Sequence, residues 1–181
     1  MVLGTTLAAT PPAEFRFKLS SKHIMLASPV ARKMYSPPWI EKLKRERDGL
    51  LPCPMDPSFD PDAFTIVMNV IHGRNRNVPR DVDLETLAKI AVITNFLQCY
   101  ESMEVFSGIW IGALQSSLPD TCGRELVLWI MISSIFYNRN IFSSTTRTAI
   151  LRSNGKIPDF DLPIHENIVR KFSESRNIGV V

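Results

Sequence analysis

The sequence predicts an α+β fold: a small sheet flanked by a cluster of helices and followed by further C-terminal helices. Three observations predict it. Phe15-Arg16-Phe17-Lys18-Leu19 alternates apolar and basic residues with the period-2 spacing of a strand that buries one face. Leu50 to Met55 has the apolar content of a second strand. From Asp60 onward, apolar residues recur at the three- and four-residue spacing of amphipathic helices. Strands followed by a run of helices is the pattern of an α+β architecture.

In the first strand Phe15, Phe17 and Leu19 are expected to point inward. Val2-Leu3, followed by Gly4-Thr5, reads as the end of a strand, with the residues up to Pro12 forming the loop into Phe15. Ser20 and Ser21 then supply a turn or helix cap, and Ile24, Met25 and Leu26 begin a helical pattern that breaks at Ser28-Pro29. Proline has no N–H to donate and suits a first helical turn, so Ser28 and Pro29 read as the cap and first residue of a second short helix ending near Met34-Tyr35. Ile40 to Asp48 mixes both signs of charge and reads as a solvated loop or short helix. Pro52 and Pro54 confine the Leu50–Met55 strand to a short or irregular edge.

The helices that follow are marked more sharply. Asp60 is a good N-cap, Pro61 suits the next position, and Gly73 can close the helix in a left-handed conformation. Between them Phe64, Val67, Met68 and Ile71 form one apolar stripe, which predicts a core helix. Asp56, Asp60 and Asp62 lack the order and central glycine of a calcium loop, which leaves capping as their role. Asp83 caps a helix running through Leu84 and Leu87 to Phe96 and Leu97, apolar on most sides and so largely buried. A helix from about Glu101 carries Phe106, Ile109, Trp110, Ala113 and Leu114, with Trp110 as a core or interface anchor. Leu118 to Gly123 reads as a boundary, dividing residues 1–117 from a helical extension, 118–181, packed on them. In that extension Glu125 to Tyr137 is too apolar to stand exposed. A helix near Ser143 to Ser153, a loop over Lys156 to Leu162 and a last helix near Pro163 with Ile164, Ile168 and Phe172 complete the chain.

The order of strand, Ser-x-His, Leu-Ala-Ser-Pro, Met and a Trp-bearing loop is carried by Phe15, Phe17, Ser21, His23, Leu26, Ala27, Ser28, Pro29, Met34 and Trp39. It resembles the opening of a BTB/POZ domain, the fungal type in particular. Ile71-His72-Gly73-Arg74-Asn75-Arg76 ahead of Val78-Pro79 adds to the resemblance, which covers roughly residues 2–117 and reaches into the extension. It implies a non-enzymatic protein-interaction module, a scaffold or adaptor that self-associates as a homo-oligomer or recruits a partner protein. A narrower implication is a substrate adaptor for a cullin-type ubiquitin ligase, held through a surface around Asn77 to Glu85.

Composition agrees with a soluble globular protein and excludes several classes. Of 181 residues, 45% are hydrophobic and 22% charged, near the soluble average and unlike a disordered chain. No apolar run approaches the roughly 20 residues of a membrane-spanning helix. Cys53, Cys99 and Cys122 are an odd number without a C-x-x-C pair, which argues for a reducing, intracellular setting, cytoplasmic or nuclear, and against a zinc site. Nucleophile elbows, phosphate-binding glycine loops and metalloprotease motifs are missing from the sequence, and His23, His72 and His165 lack ligand spacing. No enzyme activity, cofactor or metal is therefore expected. His23 is expected to fix the turn or helix start. The best partner-binding candidates are Arg74, Arg76 and Arg80, with Asp81 and Asp83 beside them, since loop arginines reach carboxylates or phosphates. A net charge of +3 is too small to make nucleic acid the expected partner, so a nucleic-acid-binding protein using Arg74, Arg76 and Arg80 of the 74–80 loop is the lesser alternative.

Overall fold

A computed structural model describes residues 15–37, 40, 50, 56 and 58–152. The expectations for Val2-Leu3, Trp39, most of the charged segment after Ile40, the run from Leu51 to Met55, the loop over 156–162 and the last helix fall outside the described residues.

Two short helices come first, α1 (Ser21–Ala27) and α2 (Pro29–Met34), joined at Ser28. Ser28 is fully buried and its Oγ accepts from the Ala31 N–H at 3.0 Å, while Pro29 occupies the first helical position. This is the break that the Ser-Pro pair predicts. Next comes α3 (Pro61–Ile71), capped by Asp60, whose Oδ1 accepts from Asp62 and Ala63. Its stripe of Phe64, Val67, Met68 and Ile71 is buried as the spacing requires.

The centre of the molecule is α4 (Leu84–Leu97), which packs against α2, α3, α5 (Tyr100–Leu114) and α6 (Arg124–Ile135). Leu87, Ile90, Ile93 and Leu97 are each no more than 1% exposed. Full burial of such a side chain contributes about 1.5–3 kcal/mol relative to leaving it in water. On α6 every residue from Leu126 to Ser133 is buried, because α4 covers one side and α7 (Arg139–Arg152) the other. Leu128, Trp129 and Ile132 join the same core as α1 to α5, while Leu126 and Ile130 meet Ala149 in a smaller cluster between α6 and α7.

The α+β expectation is overturned: no strand, and so no sheet, occurs among the described residues. Residues 15–20 carry no regular structure, and Phe15 and Phe17 are 61% and 42% exposed where the alternation had them facing inward. Period-2 patterning is compatible with a strand, but the ladder needs a partner. What the segment does is lie along α3. The Phe17 ring tilts against Phe64 at a centroid distance of 4.9 Å, and the Ser20 N–H donates to Nε2 of His72 at the far end of the same helix. Leu26, expected within a mostly apolar hairpin, is 80% exposed, whereas Ala27 and Met34 are half-buried.

The α7 helix begins four residues earlier than its pattern predicts. Asn138 supplies the missing start, its Oδ1 accepting from Ile141 N at 3.1 Å and its carbonyl from Phe142 N at 3.0 Å. Thr145 and Thr146 donate to the carbonyls of Ile141 and Phe142, so a hydroxyl-rich helix still satisfies its polar groups.

Candidate functional site

The loop from Gly73 to Asp83 joins α3 to α4 and contains all five partner-binding candidates. Its conformation is fixed residue by residue. Gly73 has φ +67°, a left-handed geometry that costs a glycine little, and this turns the chain so that Arg74 N donates to the Asn69 carbonyl at 2.8 Å. Asn75–Asn77 then forms one 3-10 turn, with Asn77 N on the Arg74 carbonyl at 2.9 Å. Val78 follows, 4% exposed, so its side chain is sunk in the core. Trp110, buried on α5, donates from Nε1 to the Pro79 carbonyl at 3.0 Å. At the far end Asp83 accepts from the Thr86 N–H at 2.7 Å and caps α4.

At the start of the loop stands His72, both of whose ring nitrogens are engaged by the backbone. Nδ1 lies 2.8 Å from the Met68 carbonyl and Nε2 accepts from the Ser20 N–H at 3.0 Å, partners that assign the Nδ1–H tautomer. His23 stacks on this ring at 5.2 Å, and its own Nδ1 is 2.9 Å from Ser20 Oγ. The first turn of α1, including Lys22, is thereby held against the C-terminal end of α3.

Electrostatics separate the loop's acids from its bases. Hydrogen bonds from Thr86 hold the Asp83 carboxyl below its usual range. Glu85 is engaged by Arg124 through two bonds of 2.7 and 2.9 Å, and that hydrogen-bonded guanidinium lowers its pKa. Asp60 is lowered first by its hydrogen bond to Lys89, at 2.7 Å, and then by its capping bond to Ala63. These acids are committed within the fold. Arg74, Arg76 and Arg80 are exposed and make no side-chain hydrogen bond or ion pair among the described residues; Asp81 is exposed beside them. The three arginines therefore fall within seven consecutive residues and are unpaired among the described residues. Two unit charges about 10 Å apart in water repel by about 0.4 kcal/mol, a cost that an arriving anion relieves.

The chain matches no protein-family model, no curated protein and no solved structure. With no sheet among the described residues either, the resemblance to a BTB/POZ domain is overturned. Its signature residues serve other ends here: Phe17 packs on Phe64, His23 stacks on His72, and Ser28 joins the helical hairpin to α4. The cullin-adaptor reading depended on that resemblance and goes no further.

Spacing alone identified the basic loop but not what holds it still. The Trp110 bond spans 31 positions and the Ser20–His72 bond 52, so neither leaves a local trace in the sequence. No group of three or more potential metal ligands occurs among the described residues. Burial pushes the Cys99 thiol up to about 12, which keeps it protonated and poorly nucleophilic.

Proposed function

We propose that this chain is a protein-interaction module that recruits a partner through the Gly73–Asp83 loop, and that it does so without catalysis. The observation that carries the reading is the combination of three exposed arginines, unpaired among the described residues, with a backbone pinned by Gly73, Val78, Pro79 and Asp83. A rigid loop loses little conformational freedom on docking, so more of each contact's energy appears as affinity. Arginine forks recognise carboxylates bidentately and are enriched among residues that dominate interfaces. No helix among the described residues is long and apolar enough to cross a membrane.

The test places a photocrosslinking residue at Asn77, exposed on the 3-10 turn, and irradiates the full chain in extract of its own cells. A discrete protein adduct is expected, and it should disappear when R74Q, R76Q and R80Q are introduced together. An adduct pattern unchanged by the triple substitution, or no adduct at all, overturns the loop as the docking surface.

A further inference from the structure

We infer that the partner presents a short acidic segment, a few Asp or Glu residues on an exposed peptide, to Arg74, Arg76 and Arg80. This rests on the reading of the loop as a docking surface and adds the chemistry of what docks there.

Three features define that chemistry. The first is charge: Arg74, Arg76 and Arg80 are exposed within seven consecutive residues that include no acid, and the nearest acids along the chain on that side are Asp81 and Asp83. Asp60 and Glu85 are paired with Lys89 and Arg124, while Asp83, held by the Thr86 N–H, keeps its charge and bounds the basic stretch on its C-terminal side. The second is extent. Arg74 to Arg80 spans six residue steps, part of it coiled in a 3-10 turn, which limits the basic strip to less than about 20 Å. Past Arg80 the surface changes sign at Asp81, Asp83 and Glu85, so a polyanion continuing in that direction meets carboxylates. A short acidic stretch fits between these limits, whereas the continuous backbone of a nucleic acid does not.

The third feature is what the loop lacks. Sequence-tolerant binding of single strands uses aromatic side chains on which bases stack. Residues 73–83 include none, and Tyr137, an exposed aromatic, closes α6 at the opposite end of the α4–α6 pair from the Glu85–Arg124 contact. The exposed side chains of Asn75 and Asn77 instead offer amide donors and acceptors suited to a peptide backbone.

The experiment is a fluorescence-anisotropy titration of the full chain with three labelled probes: an Asp/Glu-rich peptide, the same peptide with Asn and Gln in place of its acids, and a single-stranded RNA of similar length. The acidic peptide is expected to bind saturably and to weaken as salt rises, with the neutral peptide at least about tenfold weaker, a step of one decade in Kd. R74Q, R76Q and R80Q together should reduce acidic-peptide affinity roughly tenfold or more with an unchanged circular-dichroism spectrum, while the triple Arg→Lys chain should keep part of it because charge survives without the planar fork. Equal binding of the acidic and neutral peptides, undiminished binding by the glutamine variant, or RNA displacing the acidic peptide overturns the inference. A chain that still forms the loop-dependent adduct from Asn77 but ignores the acidic peptide loses this inference and keeps the docking loop. Loss of that adduct removes the docking reading itself.

Discussion

Ser28 Oγ donates to the carbonyl oxygen of Leu97 at 2.6 Å while accepting from Ala31 N at 3.0 Å, so one hydroxyl caps α2 and satisfies the C-terminal end of α4, 69 positions away. Both bonds lie in a fully buried site. Ser28→Ala removes a helix cap, which costs about 0.5–2 kcal/mol, and strands a buried acceptor, which costs about 1–3 kcal/mol. Urea unfolding should show a total loss on the order of 2–4 kcal/mol, a large share of the stability of one domain. A midpoint unchanged from the parent chain would mean that the hairpin contributes nothing to holding α4.

Trp110→Phe keeps an aromatic ring in the core and deletes the bond to the Pro79 carbonyl, worth about 1 kcal/mol. Hydrogen exchange should quicken at Asn77 and Val78 with smaller changes in α4. Acidic-peptide binding should weaken although no arginine has changed. Unaltered exchange in the loop would show that the indole does not restrain it.

Acid stability follows from Asp60, Asp83 and Glu85. Hydrogen bonds lower all three below their ordinary values of 3.8, 3.8 and 4.5 in the folded chain. A depressed folded pKa gives stability that is complete above the unfolded value and is lost as pH falls through the folded one. Urea midpoints should therefore fall as pH drops below about 4, where these carboxyls protonate. The decline should be modest, since these groups are partly solvated and salt screens their ion pairs. Asp60→Asn, which keeps a capping oxygen, should shrink it. A midpoint independent of pH across that range would contradict the assignment.

Cys99 is 1% exposed with its thiol pushed up to about 12, whereas Cys122 is half-buried with its side chain unbridged. In a chain carrying C53S and C122S, iodoacetamide at mildly alkaline pH should leave Cys99 unmodified until denaturant is added. Rapid native labelling would show that the α4–α5 junction opens far more readily than its packing allows.

Gly108 and Gly112 lie on the exposed side of α5, and a Cβ added at either meets no atom within 4 Å. Each glycine in a helix interior costs about 1 kcal/mol relative to alanine. Gly108→Ala and Gly112→Ala should each raise stability by up to about that amount, read as a higher melting temperature.

Local chemistry was legible where a single residue type decides the outcome. Asp60, Asp83, Ser28-Pro29 and Gly73 mark their helix ends correctly because caps and left-handed turns are chosen by the residue itself. The other ends were blurred for the converse reason: α4 and α6 close through Gln98 at φ 54° and Tyr137 at φ 56°, left-handed conformations that cost such residues about 1–2 kcal/mol and carry no sequence mark. The sheet failed for a different cause. Alternation at Phe15–Leu19 describes how a segment presents its side chains, and pairing depends on another segment that the pattern does not specify. At the candidate site the arginines were visible in the sequence, and the tryptophan that steadies them was visible only as a core anchor.

Because α4 is covered on successive sides by α2, α3, α5 and α6, none of these can detach without uncovering it. Trp129 and Ile132 share its core although they lie beyond the polar connection at residues 118–123, so a protease cut there would leave two fragments still clasped together. The first and last described helices are joined through α4 and α6, and this unit should melt in one step.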